Sequence, residues 1–165
     1  MIVVAQRVSR ASVTVDGERV GAIEHGLCLL VCALDDDLEP DVEWLADKLV
    51  DLRLFADEEG LSNRSLLDVG GSALVVPQFT LAADWRKGRR PSFTRSAEPA
   101  RARQLVDCLS ARLGQRGVSV AAGRFGAMMA LELLNDGPFT LVLDSRQSPT
   151  RRAATGGPAE PELSP

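Results

Sequence analysis

Three stretches of this 165-residue chain carry residue types whose spacing suits chemistry. Val76-Pro77-Gln78-Phe79-Thr80-Leu81-Ala82-Ala83-Asp84 begins as an apolar strand and ends polar, so Gln78, Thr80 and the nearby backbone donors fall where a ladder stops. Such strand ends often hold ligands, and as often are plain turn formers. Thr80 is a nucleophile by type, but a hydroxyl needs a base to take its proton, and no histidine, lysine or amino-terminal partner is evident. Trp85-Arg86-Lys87-Gly88-Arg89-Arg90 places four cations and an aromatic in one loop. Such a loop can neutralise nucleic-acid phosphates or simply be solvated. Asn135-Asp136-Gly137-Pro138-Phe139-Thr140 reads by itself as a chain reversal.

Other chemistries find no support. Cys28, Cys32 and Cys108 are odd in number and lack a C-x-x-C pair. Cys28 and Cys32, four apart in an apolar strand, are expected to share a buried face. The single histidine, His25, beside Gly26, reads as a solvated turn residue. No zinc set can be assembled, and no metal or cofactor is expected. A net charge of −4 argues against general coating of nucleic acid, while a local basic patch can still grip phosphates. No apolar run approaches a membrane span, and the opening residues enter a strand pattern without a signal-peptide layout, so a cytoplasmic protein with no membrane association is expected.

The elements that must position these residues follow from periodicity. Residues 1–9 and 11–16 are β-rich, Gly17 marks a turn into residues 19–24, and His25-Gly26 is expected to turn again into the apolar run 27–34, making an antiparallel meander. Pro40 suits a first helical turn, and Val42, Leu45, Leu49 and Leu52 recur at helical spacing. Asp57-Glu58-Glu59-Gly60 closes a turn, residues 63–68 are irregular or a short strand, and Gly70-Gly71 precedes a strand over 72–79. A second helix starts at Glu98-Pro99, buries Ala102, Leu105, Val106, Leu109 and Leu113, and ends at Gly117. Residues 118–122, 128–134 and 138–144 read as strands, with a tight turn at Asn135-Asp136-Gly137. The expected fold is one α+β domain over residues 1–144, with a curved, barrel-like, mostly antiparallel sheet and two main helices. Residues 145–165, rich in Pro, Gly, Ala, Arg and Glu without periodicity, are expected to be a disordered tail.

Pro77-Gln78-Phe79-Thr80-Leu81 resembles the Ser-Gln-Phe-Thr-Leu motif of the D-aminoacyl-tRNA deacylase family, and residues 135–140 resemble its C-terminal Gly-Pro motif. Residues 6–13, Arg90-Pro91-Ser92-Phe93 and Gly123-Arg124-Phe125 are also similar, so the likeness spans residues 1–144 in order. The resemblance implies hydrolysis of the ester joining a D-amino acid, or glycine mischarged on alanine tRNA, to the 3′-terminal adenosine of tRNA, with L-aminoacyl-tRNA rejected. It implies catalysis through backbone amides around Gln78 and Phe79, with the ribose 2′-hydroxyl helping the attack and Thr80 in the same motif. It also implies that Gly137-Pro138 is cis and enters the active site of the other subunit of a homodimer, braced by Arg7. Arg86, Lys87, Arg89 and Arg90 would hold the acceptor stem. Asp84 is expected to cap its loop rather than act as a base. Pro77 departs from the motif's serine, removing a hydroxyl and a backbone donor, and the Pro-Gln start is similar to an animal paralogue of relaxed chiral selectivity. Two other classes stay open: a non-catalytic tRNA- or DNA-binding module using the basic loop, and a small-molecule esterase using Thr80 or a cysteine.

Overall fold

The computed structural model describes residues 1–149 and 151. In chain order the strands are β1 (Ile2–Val15), β2 (Glu18–Ile23), β3 (Gly26–Cys32), β4 (Phe55–Ala56), β5 (Ser62–Arg64), β6 (Ser72–Pro77), β7 (Ser119–Ala122) and β8 (Ala130–Asp144). The helices are α1 (Glu39–Asp51), between β3 and β4, and α2 (Pro99–Gln115), between β6 and β7.

The opening is not a meander. Asp16 and Gly17, with φ of 51° and 81°, make the expected hairpin turn. β2 and β3 then run in one direction along the same partner, with Val15 opposite Glu18, Val8 opposite Gly26 and Ile2 opposite Cys32. His25-Gly26 therefore joins two segments of one ribbon without reversing it. The glycine serves a close approach instead: a Cβ there would lie 1.9 Å from the Ser72 carbonyl oxygen at the start of β6.

β1 is the long central strand, holding β2 and β3 on one edge and β8 on the other, all antiparallel. β3–β6 and β6–β7 are parallel, because α1 and α2 are crossovers that return the chain to the same end of the sheet. The sheet is thus mixed, ordered β2-β1-β3-β6-β7, and it curls until its ends nearly meet. A Cβ on Gly21 of β2 would stand 2.6 Å from the Ala122 carbonyl oxygen of β7.

Strand alternation sends side chains into two main cores, with a small third cluster of Cys32, Leu34 and Ala82. Leu27, Leu29, Val31 and Val75 pack on the helices against Leu45, Leu49, Leu105 and Leu109. Val8, Val13, Cys28, Leu74 and Val76 fill the inside of the curved sheet. Each fully buried leucine contributes about 1.5–3 kcal/mol relative to exposure. Glu98 caps α2, its Oε2 accepting from Ala100 N (3.1 Å) and Arg101 N (3.3 Å). Leu38 has no acceptor to offer α1, so Asp41 reaches back to the Leu38 N–H at 2.8 Å.

Two further expectations need correction. Residues 128–134 and 138–144 are not a hairpin: β8 is one strand through residues 135–137, because β1 is long enough to pair with both halves. Order also extends past Asp144. Ser145 N donates to the Met1 carbonyl (2.9 Å), the Ser145 hydroxyl donates to Asp37 (2.8 Å), and the Met1 ammonium pairs with the same buried carboxylate. Ser145–Gln147 forms a 3-10 turn, Ser148 is buried, and Arg151 binds Asp41 at 2.7 and 2.8 Å. The rest of the expected tail, residues 150 and 152–165, lies outside the described residues.

Candidate active site

Parallel pairing of β3 and β6 brings their carboxyl ends together, and the chain leaves β6 at Pro77. Gln78 N donates to the Val31 carbonyl at 2.7 Å as the last rung, and a 3-10 turn, Phe79–Ala82, follows. Alternation along a strand makes the residue before Gln78 face the opposite neighbour, β7. That strand has already ended at Ala122, so Pro77 costs the ladder no hydrogen bond. The first two amides of a 3-10 turn have no partner within it. Among the described residues neither Phe79 N–H nor Thr80 N–H meets an acceptor. This refines the expectation of amides around Gln78 and Phe79: the Gln78 amide is used by β3, and the free pair belongs to Phe79 and Thr80.

These donors border a cleft of about 460 Å³ lined by Pro77, Gln78, Phe79 and Thr80 on one wall and Phe125, Met128 and Met129 on the other. Cys32 of β3 and Ala102 and Val106 of α2 complete it. The second wall belongs to the loop between β7 and β8, and sequence reading did not identify it as part of a site. Its legible signal was Phe125 set between Gly123 and Gly126 in a loop too short for a helix.

Among the described residues no carboxylate, lysine, arginine or histidine lines this cleft. Thr80 is exposed, and its Oγ1 accepts a hydrogen bond from Gln78 Nε2. His25 stands elsewhere, edge-on to Phe55 at 5.0 Å between ring centroids. Cys32 is buried with its Sγ 3.5 Å from the Phe79 carbonyl oxygen, and burial raises its thiol above the ordinary value. Burial likewise pushes Cys28 up to about 11 and raises Cys108, so all three thiols stay protonated and poorly nucleophilic near neutral pH. Besides the Gln78, Thr80 and Ser96 side chains, the cleft offers a reacting group two backbone N–H donors in mainly apolar surroundings. That is the equipment for holding a developing oxyanion.

The second motif lies outside this cleft. Gln6 pairs with Thr140 and Val8 with Asn135, so Asp136, Gly137, Pro138 and Phe139 all bulge out opposite Arg7 alone. The Gly137-Pro138 peptide is cis, and both residues are exposed. Arg7 braces the bulge. Its Nε donates to the Asp136 carbonyl (3.2 Å) and faces the Asp136 carboxylate (3.3 Å), while Nη1 donates to the Leu54 carbonyl (2.5 Å). The guanidinium lies 5.0 Å from the Phe139 ring centroid, and Asn135 Nδ2 donates to the carbonyls of Arg7 (2.9 Å) and Phe139 (3.2 Å). With 13% of its side chain exposed, Arg7 is a partly buried clamp rather than a solvated edge residue.

The basic loop is tied to the cleft. Asp84 and Ser92 exchange backbone hydrogen bonds of 2.7 and 2.8 Å, pinching residues 85–91 at their base. Phe93, the next residue, meets Phe79 edge-on with ring centroids 5.1 Å apart. Asp84 caps the loop as expected, its Oδ1 accepting from Arg86 N at 3.1 Å. Hydrogen bonds from the Arg86 guanidinium at 2.9 and 2.7 Å hold the Asp84 carboxyl far below its usual range. Arg86, Lys87, Arg89 and Arg90 are all exposed, and Arg86 is in addition engaged within the loop by Asp84.

The D-Tyr-tRNA(Tyr) deacylase family model matches residues 4–144. A D-aminoacyl-tRNA deacylase of Chloroflexus aurantiacus is 58% identical over 89% of this chain and 92% of its own length. One of Brevibacillus brevis is 54% identical over 88% of this chain and 100% of its own. Among solved structures, the c-Myc DNA Unwinding Element Binding Protein superposes with a TM-score of 0.81 at 35% identity, covering 87% of this chain and 98% of that one. A probable eukaryotic D-amino acid tRNA deacylase shares the fold, with a TM-score of 0.74 at 20% identity over 86% of this chain and 97% of that one.

Proposed function

Because the chain belongs to the D-Tyr-tRNA(Tyr) deacylase family and is a hydrolase of D-aminoacyl-tRNA, we propose that it works as a homodimer whose clefts each use the Phe79 and Thr80 amides of one subunit and Gly137-Pro138 of the other. The observation that carries this reading is the separation of the two motifs: within one chain Gly137-Pro138 is absent from the cleft wall and protrudes from a braced bulge. A second copy related by a two-fold axis would insert the bulge reciprocally. The outer edge of β8, with Leu134 and Val142 exposed and no strand paired to it among the described residues, supports such a contact.

In this mechanism the terminal adenosine and its aminoacyl group enter the cleft. A water oxygen adds to the ester carbonyl carbon, assisted by the ribose 2′-hydroxyl, and the carbonyl oxygen takes up negative charge against the Phe79 and Thr80 amides. The intermediate collapses by breaking the bond to the ribose 3′ oxygen, which leaves with the proton that the attacking water gave up through the ribose 2′-hydroxyl. Gln78 positions Thr80 through its side-chain amide. Rigid Gly137-Pro138 backbone leaves no space for an L side chain, while glycine, having none, is accepted. Discrimination then rests on a clash. Pro77 supplies neither hydroxyl nor amide, so the chiral wall rests on Gly137-Pro138 and its Arg7 brace. Lys87, Arg89 and Arg90, with Arg86 fixing the loop, meet the acceptor-stem phosphates. Among the described residues no helix is long and apolar enough to cross a membrane, and the substrate puts the enzyme in the cytoplasm.

Purified protein is expected to release D-tyrosine from D-Tyr-tRNA and glycine from mischarged glycyl-tRNA, to spare L-Tyr-tRNA, and to sediment as a dimer. Equal release of the L residue would overturn the chiral reading, and a fully active monomer the shared site. Thr80→Ala is expected to keep most of the single-turnover rate, because its amide remains when the hydroxyl is lost. Collapse to the uncatalysed rate would return Thr80 to the role of nucleophile.

A further inference from the structure

We propose that Trp85 is a stacking platform for an unpaired base in the 3′ end of the tRNA, next to the nucleotide that enters the cleft. Trp85 is 75% exposed, and its indole is the large aromatic of a loop that also presents Lys87, Arg89 and Arg90 to solvent. A single exposed apolar residue needs no explanation in general. This one is held in place: its neighbours Asp84 and Arg86 are locked to each other by backbone and side-chain hydrogen bonds, and the loop base is closed at Ser92.

The loop also has a defined relation to the cleft. Phe93 leaves the loop base and packs on Phe79, whose ring is 57% exposed at the cleft wall. A substrate whose last nucleotide occupies the cleft must run its preceding, unpaired nucleotides outward before any duplex begins. Cations suffice for the phosphates of a duplex, whereas an exposed ring beside them matches single-stranded recognition, in which each base presents a π face. This assignment rests on the reading of residues 85–90 as a tRNA-binding loop and names the part of the tRNA that the indole meets.

The dimeric protein carrying Trp44→Phe keeps Trp85 as its sole tryptophan. Two probes distinguish the occupants: uncharged tRNA with its unpaired 3′ end, and the same tRNA trimmed of that end. Intact tRNA is expected to quench Trp85 fluorescence and trimmed tRNA to leave it unchanged. In the otherwise unaltered protein, Trp85→Ala is expected to weaken binding of intact tRNA about tenfold, within the range found for single base–aromatic stacks. Trp85→Phe should recover most of that loss, with the effect falling on KM and not on kcat. Quenching by both probes alike, or equal weakening of both by Trp85→Ala, would overturn the proposal. A blue-shifted Trp85 emission in free protein that moves red on dilution would assign the indole to a second copy instead. Charge reversal at Arg89 and Arg90 separates the premises. If it weakens both probes while Trp85 stays silent, only the stacking fails; if it changes neither, the loop reading fails with it.

Discussion

Proline at position 79 is expected to lower the single-turnover deacylation rate about 10²–10³-fold below that of Phe79→Ala, the usual cost of deleting one oxyanion donor. The two variants lose the same aromatic contact with Phe93 and differ chiefly in one amide proton. Position 79 is the first residue of the 3-10 turn, where proline's fixed φ is already the required one and its missing N–H breaks no internal bond. Gln78, at φ −146° and ψ 76°, lies outside the helical region that a following proline disfavours. Far-ultraviolet circular dichroism should not distinguish the variants. Equal rates for both would remove the Phe79 amide from the mechanism.

Alanine at position 137 is expected to reduce the preference for D- over L-Tyr-tRNA by at least about tenfold in kcat/KM, equivalent to about 1.4 kcal/mol. Gly137 has φ of 129°, and a Cβ there would lie 2.9 Å from Arg7 Nη2 and 3.0 Å from Phe139 N. The backbone nitrogen cannot yield as a side chain can, so the bulge must move and the wall against L residues moves with it. Mixed dimers identify which subunit supplies that wall. In a dimer of one Phe79→Pro and one Gly137→Ala subunit, the cleft with both amides belongs to the Gly137→Ala chain. If the partner supplies the bulge, that cleft meets an intact Gly137-Pro138 and stays strict for the D substrate. If the bulge serves its own cleft, the mixed dimer hydrolyses L-Tyr-tRNA at about half the rate of the Gly137→Ala homodimer, having one relaxed active cleft where the homodimer has two. Measurement of L-tyrosine release from purified mixed dimers decides between them.

Parts of this architecture are readable from residues a few positions apart. Pro40 with Val42, Leu45 and Leu49, and Glu98-Pro99 with Leu105, Leu109 and Leu113, specify two amphipathic helices because helical contacts are local. Asp16-Gly17 specifies a hairpin for the same reason. The glycine at position 26 was ambiguous, since the same residue serves a reversal or a close approach, and only the neighbouring Ser72 carbonyl distinguishes them. Asn135-Asp136-Gly137 carries hairpin chemistry, yet β1 pairs with the strand on both sides of it and turns it into a bulge.

The candidate site divides along the same line. By itself the sequence determined the motif segments, the lack of a base near Thr80 and the cationic loop, all properties of residue type and short spacing. Which amides are free was beyond it, because an N–H is available only if no acceptor lies opposite: Val31 uses the Gln78 amide and leaves those of Phe79 and Thr80. Tertiary structure alone decided that Phe125 and Met129 face Phe79 across one cleft and that Gly137-Pro138 stands outside it. Both depend on which strands become neighbours, and that is settled by burial of two cores drawn from the whole chain.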